Sequence, residues 1–308
     1  PLAKKLVILQ TRKVLHVLCH LMYKMNSSSG SLQRCPQRFL ILLIGSTGDG
    51  KSATINHLLN TDTVKTGSFE PETKAMVEYL VAINHHDNED SDQELGIIDT
   101  PGLNDPRGIK QDACNLYSMK YFFETHPLYS KRKCYPNLIF LVISANEHRI
   151  DGSSSKLANT LRALKELDVV DRNQPNVVAI LTFCCSVSYY NIPRWKEIMQ
   201  EKKNIISHNI NEALEIEAPV TVVLLENDKD SNSLEKSGDF TFLPNNEQQP
   251  KNLYEVCQTV LKENGDHNGL TTFNIGLAQH HGRKKQYQVA HHKVMANDSS
   301  KNPISEVE

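Results

Sequence analysis

The chain has a single tryptophan, no Cys-x-x-Cys spacing and no excess of either charge, and these shortages exclude several classes of function. Its 34 lysines and arginines against 36 acids leave a formal net charge of −2, so no global field draws it to nucleic acid or to an acidic substrate. Seven cysteines are too irregular and too odd in number to close a disulfide framework, and a reducing, cytoplasmic setting is expected. Beyond residue 37 no apolar run is long enough to span a bilayer. The adjacent histidines His85-His86, His280-His281 and His291-His292 lack a cysteine or acid at zinc spacing, and they read as solvated loop and tail residues.

What remains is an ordinary globular mix, 39% hydrophobic and 23% charged, able to build a buried core. Residues 1–37 read as an extension and linker. Lys4, Lys5, Arg12, Lys13 and Lys24 surround the apolar stretches Leu6–Leu9 and Val14–Met22 without an acid, as in a targeting segment. Arg12 and Lys13 break those stretches, however, and no small-residue cleavage site follows. Met25, before the polar run Asn26–Gly30, is a plausible start of translation. From 38 to 264 the pattern alternates. Strands are expected at Arg38–Ile44, Ala75–Ile83, Leu95–Ile98, Leu138–Ser144, Val177–Phe183 and Val220–Leu225. Helices are expected at Ala53–Leu59, Asp112–Phe123, Ser155–Leu167, Trp195–Leu214 and Leu253–Leu261. That order implies an α/β, three-layer fold with a mainly parallel central sheet. The acidic stretch Asp87–Glu94 reads as a solvated hairpin. Residues 265–308 are polar and poor in large apolar side chains, so they read as a disordered tail. Arg283-Lys284-Lys285 in that tail is a short basic cluster without an apolar face, a weak basis for membrane association.

Two motifs carry chemistry. Gly45-Ser46-Thr47-Gly48-Asp49-Gly50-Lys51-Ser52 satisfies G-x-x-x-x-G-K-[ST] at every fixed position, with an apolar strand before it and a helix after it. Glycines at this spacing let successive backbone N–H groups turn inward on anionic oxygens, and the helix that follows adds its positive end, with Ala53 in its first turn. Lys51 is placed to neutralise β- and γ-phosphates, and the Ser52 hydroxyl to ligate Mg²⁺. A bland Gly-rich turn with an exposed lysine would not require this flanking context. The second motif, Asp99-Thr100-Pro101-Gly102, follows Leu95–Ile98, so Asp99 stands at the carboxyl end of a strand, on the ligand edge of a parallel sheet. It is expected to hold the Mg²⁺ shell, and Gly102 to offer its N–H to a γ-phosphate. A loop threonine that completes the metal shell is expected between them; Thr73 is the best placed, with Thr63 and Thr66 as rivals.

Together, Ile44–Asn56, Thr73-Lys74, Ile98–Asp105 and the strand-helix-strand stretch Asn137–Thr182 resemble the AIG1-type G domains of the septin-like P-loop GTPases. The resemblance implies a GTP/GDP- and Mg²⁺-binding switch that pairs through its G domain and works at membranes or in assemblies. The catalytic set it implies is Lys51, Thr73 and Gly102, with Ser52, Thr73 and Asp99 on the metal.

The sequence departs from that pattern in two places. Guanine is normally read by an [NT]KxD stretch after a late strand. Here Thr182-Phe183-Cys184-Cys185 stands there, so Thr182 keeps the first position, Phe183 replaces the lysine and Cys185 the carboxylate. GTP over ATP is thereby left open. Glu226-Asn227-Asp228-Lys229, after the last strand, offers Asn227 or a neighbouring carboxylate as a substitute, with a plain polar turn as the alternative. Cys184 and Cys185 read as small strand-end residues, since a vicinal pair lacks redox or metal spacing. Ras-like enzymes orient water with a glutamine after the DxxG glycine; here that residue is Leu103. Slow hydrolysis is therefore expected, activated by a partner or second copy, with Arg107 the nearest arginine on the same loop. The competing reading is a nucleotide-binding assembly scaffold with little hydrolysis. A P-loop kinase or ATPase ranks last because it does not account for the Asp99–Gly102 motif.

Overall fold

The computed structural model describes residues 38–59, 64, 75–83, 93–125, 136–172, 175–228, 230–237, 240–265 and 289–292. The chain divides into two units, Pro1–Pro36 and Gln37–Glu308, and every described residue belongs to the second. The expected N-terminal extension, Thr63, Thr66, Thr73, His85-His86, His280-His281, Arg283–Lys285 and most of the expected hairpin and tail lie outside the described residues.

β1 (Arg38–Gly45) is the central strand of a seven-stranded sheet. It pairs in parallel with β3 (Gln93–Asp99) on one side and β4 (Leu138–Ser144) on the other. β5 (Val177–Thr182) and β6 (Val222–Leu224) continue the parallel run. β2 (Val77–Ile83) returns antiparallel against β3, as the expected hairpin requires. Because β1 is covered on both faces it is apolar from Phe39 to Ile44, and its side chains divide by parity. Leu40, Leu42 and Ile44 enter one core, while Phe39, Ile41 and Leu43 enter the other.

α2 (Ile109–Thr125), α3 (Lys156–Leu167) and α4 (Ile192–Leu214) supply the first core with Met119, Phe122, Leu157, Leu161, Leu164, Trp195 and Ile206. α1 (Lys51–Leu59) and α5 (Lys251–Glu263) supply the second with Ile55, Leu58, Leu253, Tyr254 and Leu261. The three layers are therefore those expected. α3 starts where the Ser155 hydroxyl accepts the Ala158 N–H at 3.0 Å, and α4 where Asn191 accepts the Arg194 N–H at 2.9 Å. Pro193 sits in the first turn of α4, where no donor is needed.

Three features depart from the expected pattern. The strand ending in Phe183 stops at Thr182, because Phe183 adopts a left-handed conformation (φ 54) and Cys184–Ser186 form a 3-10 turn. β7 (Glu235–Ser237), β8 (Phe240–Phe242) and β9 (Gln248–Gln249) form a separate three-stranded antiparallel sheet in a stretch with no strand reading. Strands of two or three residues carry too few alternations to be seen in the sequence. Finally β10 (Val289–His292), inside the segment read as a disordered tail, pairs antiparallel with β2 at the sheet edge. Backbone pairing to an open edge needs no apolar pattern of its own.

Candidate nucleotide site

All the motif loops leave the carboxyl ends of the parallel strands, which gathers them on one edge of the sheet. The loop after β1 turns through Gly48 (φ +87) and Gly50 (φ +89), conformations that a side chain would strain. Asp49 folds under the loop, its carboxylate accepting the Ser46 N–H at 3.0 Å. α1 then begins at Lys51, and its first i→i−4 bond is Thr54 N–H to Gly50 O at 2.8 Å. The N–H groups of Lys51, Ser52 and Ala53 precede that bond, so the positive end of the helix opens at the loop.

Lys51 is buried, with its ammonium donating to the carbonyls of Gly45 (3.3 Å) and Ser46 (3.0 Å). Burial pushes it below the usual lysine value, while Asp99 and Asp49 pull it back up. Asp49 is pushed up by burial against the pull of Lys51. One anionic ligand placed before Lys51 would relieve this desolvated cation, which is the electrostatic task of a phosphate-loop lysine. Beside it the Ser52 hydroxyl donates to the Asp99 carboxylate at 2.8 Å, bringing together the two metal-side residues chosen from sequence. Asp99 is fully buried at the end of β3.

The loop after Asp99 is stitched to the phosphate loop. Thr47 N–H donates to Leu103 O at 2.8 Å and Leu103 N–H to Gly45 O at 3.1 Å, a parallel bridge that lengthens the β1–β3 ladder. Gly102 is obligatory here, since a Cβ would lie 2.3 Å from Thr47 Oγ1 and 2.6 Å from Thr47 N. Leu103 itself points away from this edge; its side chain is 4% exposed and packs in the core with Met119 and Leu157. Asn104 (φ 52) closes the turn, donating to Ser46 Oγ at 2.9 Å and accepting from Asn159 of α3 at 2.7 Å. Sequence reading missed Asn104 and Asn159, whose partners are distant in the chain.

The arginine on this loop is not free to act as a finger. Arg107 donates through Nε and Nη2 to both oxygens of Asp105, at 2.8 and 2.7 Å. That hydrogen bonding holds the Asp105 carboxyl below its usual value. A depressed folded value means that the stabilisation is complete above the ordinary aspartate pKa of 3.8 and is lost as the pH falls through the folded value. Arg107 is half exposed, so solvent screening limits the pair to about 1 kcal/mol. Asp105→Asn is expected to remove that much of the stability difference between pH 5 and pH 3, measured by urea unfolding; an unchanged acid limb would show that the pair contributes nothing.

At the other end of the edge, Thr182 is fully buried and its hydroxyl donates to Asp49 O at 2.7 Å. It thus holds the phosphate loop from below, whereas it was expected on the nucleotide. The Phe183 ring lies over the loop, 3.2 and 3.3 Å from where a Gly50 Cβ would stand, so it has the place of the missing lysine's stem. Asn227 ties the last loop to the first, donating to Gly50 O at 3.1 Å and Thr54 Oγ1 at 3.2 Å, while its Oδ1 is buried without a hydrogen-bond partner. Glu226, one of the two carboxylates offered beside Asn227, is the residue beside Cys185. Its carboxylate accepts the Cys185 N–H at 2.7 Å and the Asp228 N–H at 2.8 Å. Burial pushes Glu226 above the usual glutamate value, and those two N–H groups oppose the rise.

These groups suit a Mg²⁺-bound nucleoside triphosphate. The buried Thr47 hydroxyl lacks a hydrogen-bond partner at the Gly102 end, as Asn227 Oδ1 does at the other. Between them lie the desolvated cation Lys51 and the oxygen pair Ser52–Asp99, hard donors of the kind Mg²⁺ takes.

Comparison with known proteins agrees with that reading. Residues 39–173 match the model of the AIG1 family, a span that contains the phosphate loop and Asp99–Gly102 but ends before Thr182. No curated protein matches the chain. Among solved structures it is similar to Toc33 from Arabidopsis thaliana, a dimerization-deficient mutant, at 17% identity over 75% of this chain and 86% of that one, TM-score 0.56. Toc33 in complex with GDP and Mg²⁺ is similar at 16% identity over 84% and 93%, TM-score 0.54. A third structure, of the chloroplast translocon components atToc33 and psToc159, for whose GTPase activity dimerization is important, is similar at 16% identity over 80% and 85%, TM-score 0.54. At such identities the likeness is one of fold. Residues 39–173, the span that carries the phosphate loop and Asp99–Gly102, thus match the AIG1 family, and the fold around them is the one these GTPase structures share.

Proposed function

We propose that the protein is a Mg²⁺-dependent guanine-nucleotide switch whose slow hydrolysis of GTP is accelerated when two copies meet. The observation that carries the reading is the Ser52–Asp99 contact at the mouth of a complete phosphate loop. Lys51 and the first-turn N–H groups of α1 hold the phosphates. Mg²⁺, when bound at Ser52 and Asp99, neutralises phosphate charge. Gly102 approaches from the far side and couples the loop's position to the terminal phosphate.

Guanine is read by Glu226. Its carboxylate stands against the backbone of Cys185, and each oxygen keeps a lone pair beyond the N–H it already accepts. A carboxylate there accepts the paired N–H donors of guanine and repels the acceptor edge of adenine. Phe183 covers the base where the usual lysine would lie.

Two observations support activation by a second copy. Leu103 keeps its side chain in the core and offers the attacking water nothing, and Arg107 is committed to Asp105. The similar translocon components are proteins for which dimerization is important for GTPase activity. GTP turnover per molecule is therefore expected to rise with protein concentration. Turnover that stays flat from nanomolar to tens of micromolar protein would remove the pairing. Flat and undetectable turnover with nucleotide bound would favour the assembly scaffold, the reading that buried Leu103 also permits.

A further inference from the structure

We propose that Cys184, Cys185 and Glu226 form a binding site for a thiophilic divalent cation of the zinc type, at the base end of the nucleotide edge. Among the described residues these three are the group whose cysteine, acid or histidine ligand atoms converge, and the atoms lie within 4.8 Å of one another. None of the three is accidental surface, their exposures being 0%, 7% and 1%. Zinc takes thiolate sulfur and carboxylate oxygen at about 2.0–2.3 Å, so small side-chain rotations bring this set onto one ion.

The backbone around the cluster is fixed by bonds that do not involve its sulfurs, and the side chains of Cys184, Cys185 and Glu226 hydrogen-bond to one another in the absence of an ion. Cys184 and Cys185 sit in a 3-10 turn, which stacks their side chains more closely than a strand would. The Trp195 indole donates to Cys184 O at 2.8 Å, and Cys185 N–H donates to Glu226 Oε2. Glu226 is steadied from a third direction, its own N–H donating to Gln249 Oε1 at 3.1 Å. An ion site needs such supporting contacts to hold its ligands in place. As the ion enters, both thiols lose their protons to solvent and Glu226 binds as a carboxylate. Three protein ligands with a combined charge of −3 meet a 2+ ion and leave one position for water.

The donor set separates this site from that of Ser52 and Asp99. Two sulfurs select against Mg²⁺, and the all-oxygen pair selects for it. The vicinal spacing that argued against a metal in the sequence omits the third ligand, which comes from the end of β6 across the sheet edge. Glu226 is shared with the base-reading role proposed above; if that role holds, ion and guanine exclude each other, and this second step alone rests on it.

The test is titration of the dialysed full chain with Zn²⁺ alone, without nucleotide, against a chromophoric chelator, with Co²⁺ as a spectroscopic substitute. One ion per chain is expected, with two protons released and a thiolate-to-cobalt charge-transfer band in the near ultraviolet. Cys185→Ser should weaken the ion by more than the ~10–100-fold that loss of an outer-shell partner costs. A wild-type chain that takes no zinc, or a cobalt spectrum without the thiolate band, overturns the proposal whether or not the variants fold. Undiminished binding by the double variant Cys184→Ser/Cys185→Ser overturns it too. Zinc bound with the thiolate band but indifferent to saturating GDP supports the site and rejects Glu226 as the base reader.

Discussion

Lys51→Ala is expected to lower the affinity for GDP and GTP by about 100-fold, on the order of 3 kcal/mol, read by fluorescence titration with a labelled nucleotide. The size follows from the surroundings of the ammonium. It is buried, it already faces the carbonyls of Gly45 and Ser46, and the carboxylates of Asp99 and Asp49 are its charge partners. A phosphate arriving there meets a cation that has surrendered its hydration in advance, so little of the attraction is spent on desolvation. Removing the amine also leaves the buried carboxyl groups of Asp99 and Asp49 without their cation, which adds repulsion toward an anionic ligand to the lost attraction. An affinity unchanged by the substitution, in a variant that melts at the wild-type temperature, would overturn the phosphate-loop assignment.

The second large effect concerns the base. Glu226→Gln is expected to reduce the preference for GTP over ATP by about 100-fold, since a site that pairs buried polar groups with a ligand rejects the mismatched ligand by large factors. The amide can still accept one of the two N–H groups from Cys185 and Asp228, so the loop keeps part of its support. It presents a donor where guanine also presents donors. Competition between GTP and ATP for the Mg²⁺-loaded protein measures the outcome directly. A wild-type chain that prefers ATP, or a variant whose preference equals wild type, would rule out Glu226 as the base reader. Asn227→Ala separates loop support from base reading, because Asn227 anchors the loop to Gly50 and Thr54.

How much of this was legible in the sequence depends on the distance over which each contact is specified. Gly45–Ser52 and Asp99–Gly102 encode their chemistry in local spacing, and each follows directly on the apolar end of a strand, Phe39–Ile44 and Ile97-Ile98; the loop, the lysine and the Ser52–Asp99 pair lie where the spacing places them. Among Glu226, Asn227 and Asp228 the sequence left the choice open, because what distinguishes Glu226 is a contact with Cys185, 41 residues earlier. The same reason hid Asn159, whose bond to Asn104 spans 55 residues. Thr182 stands at a strand end as expected, while the bond from its hydroxyl to the Asp49 peptide, 133 residues earlier, is visible only in three dimensions. The short strands β7, β8 and β9 are written in too few residues to carry a period.

The parity of β1 has a further consequence. Its odd and even residues fill different cores, and the same strand delivers Gly45 to the head of the phosphate loop. Deleting one residue from Phe39–Ile44 would exchange the two half-cores at a stroke and also shorten the tether of the loop by about 3.3 Å. Stability and ligand binding therefore have no independent coordinates along this strand. Divergence is confined to substitutions that preserve length and volume, and innovation in such a chain has to come from the loops that follow β5 and β6.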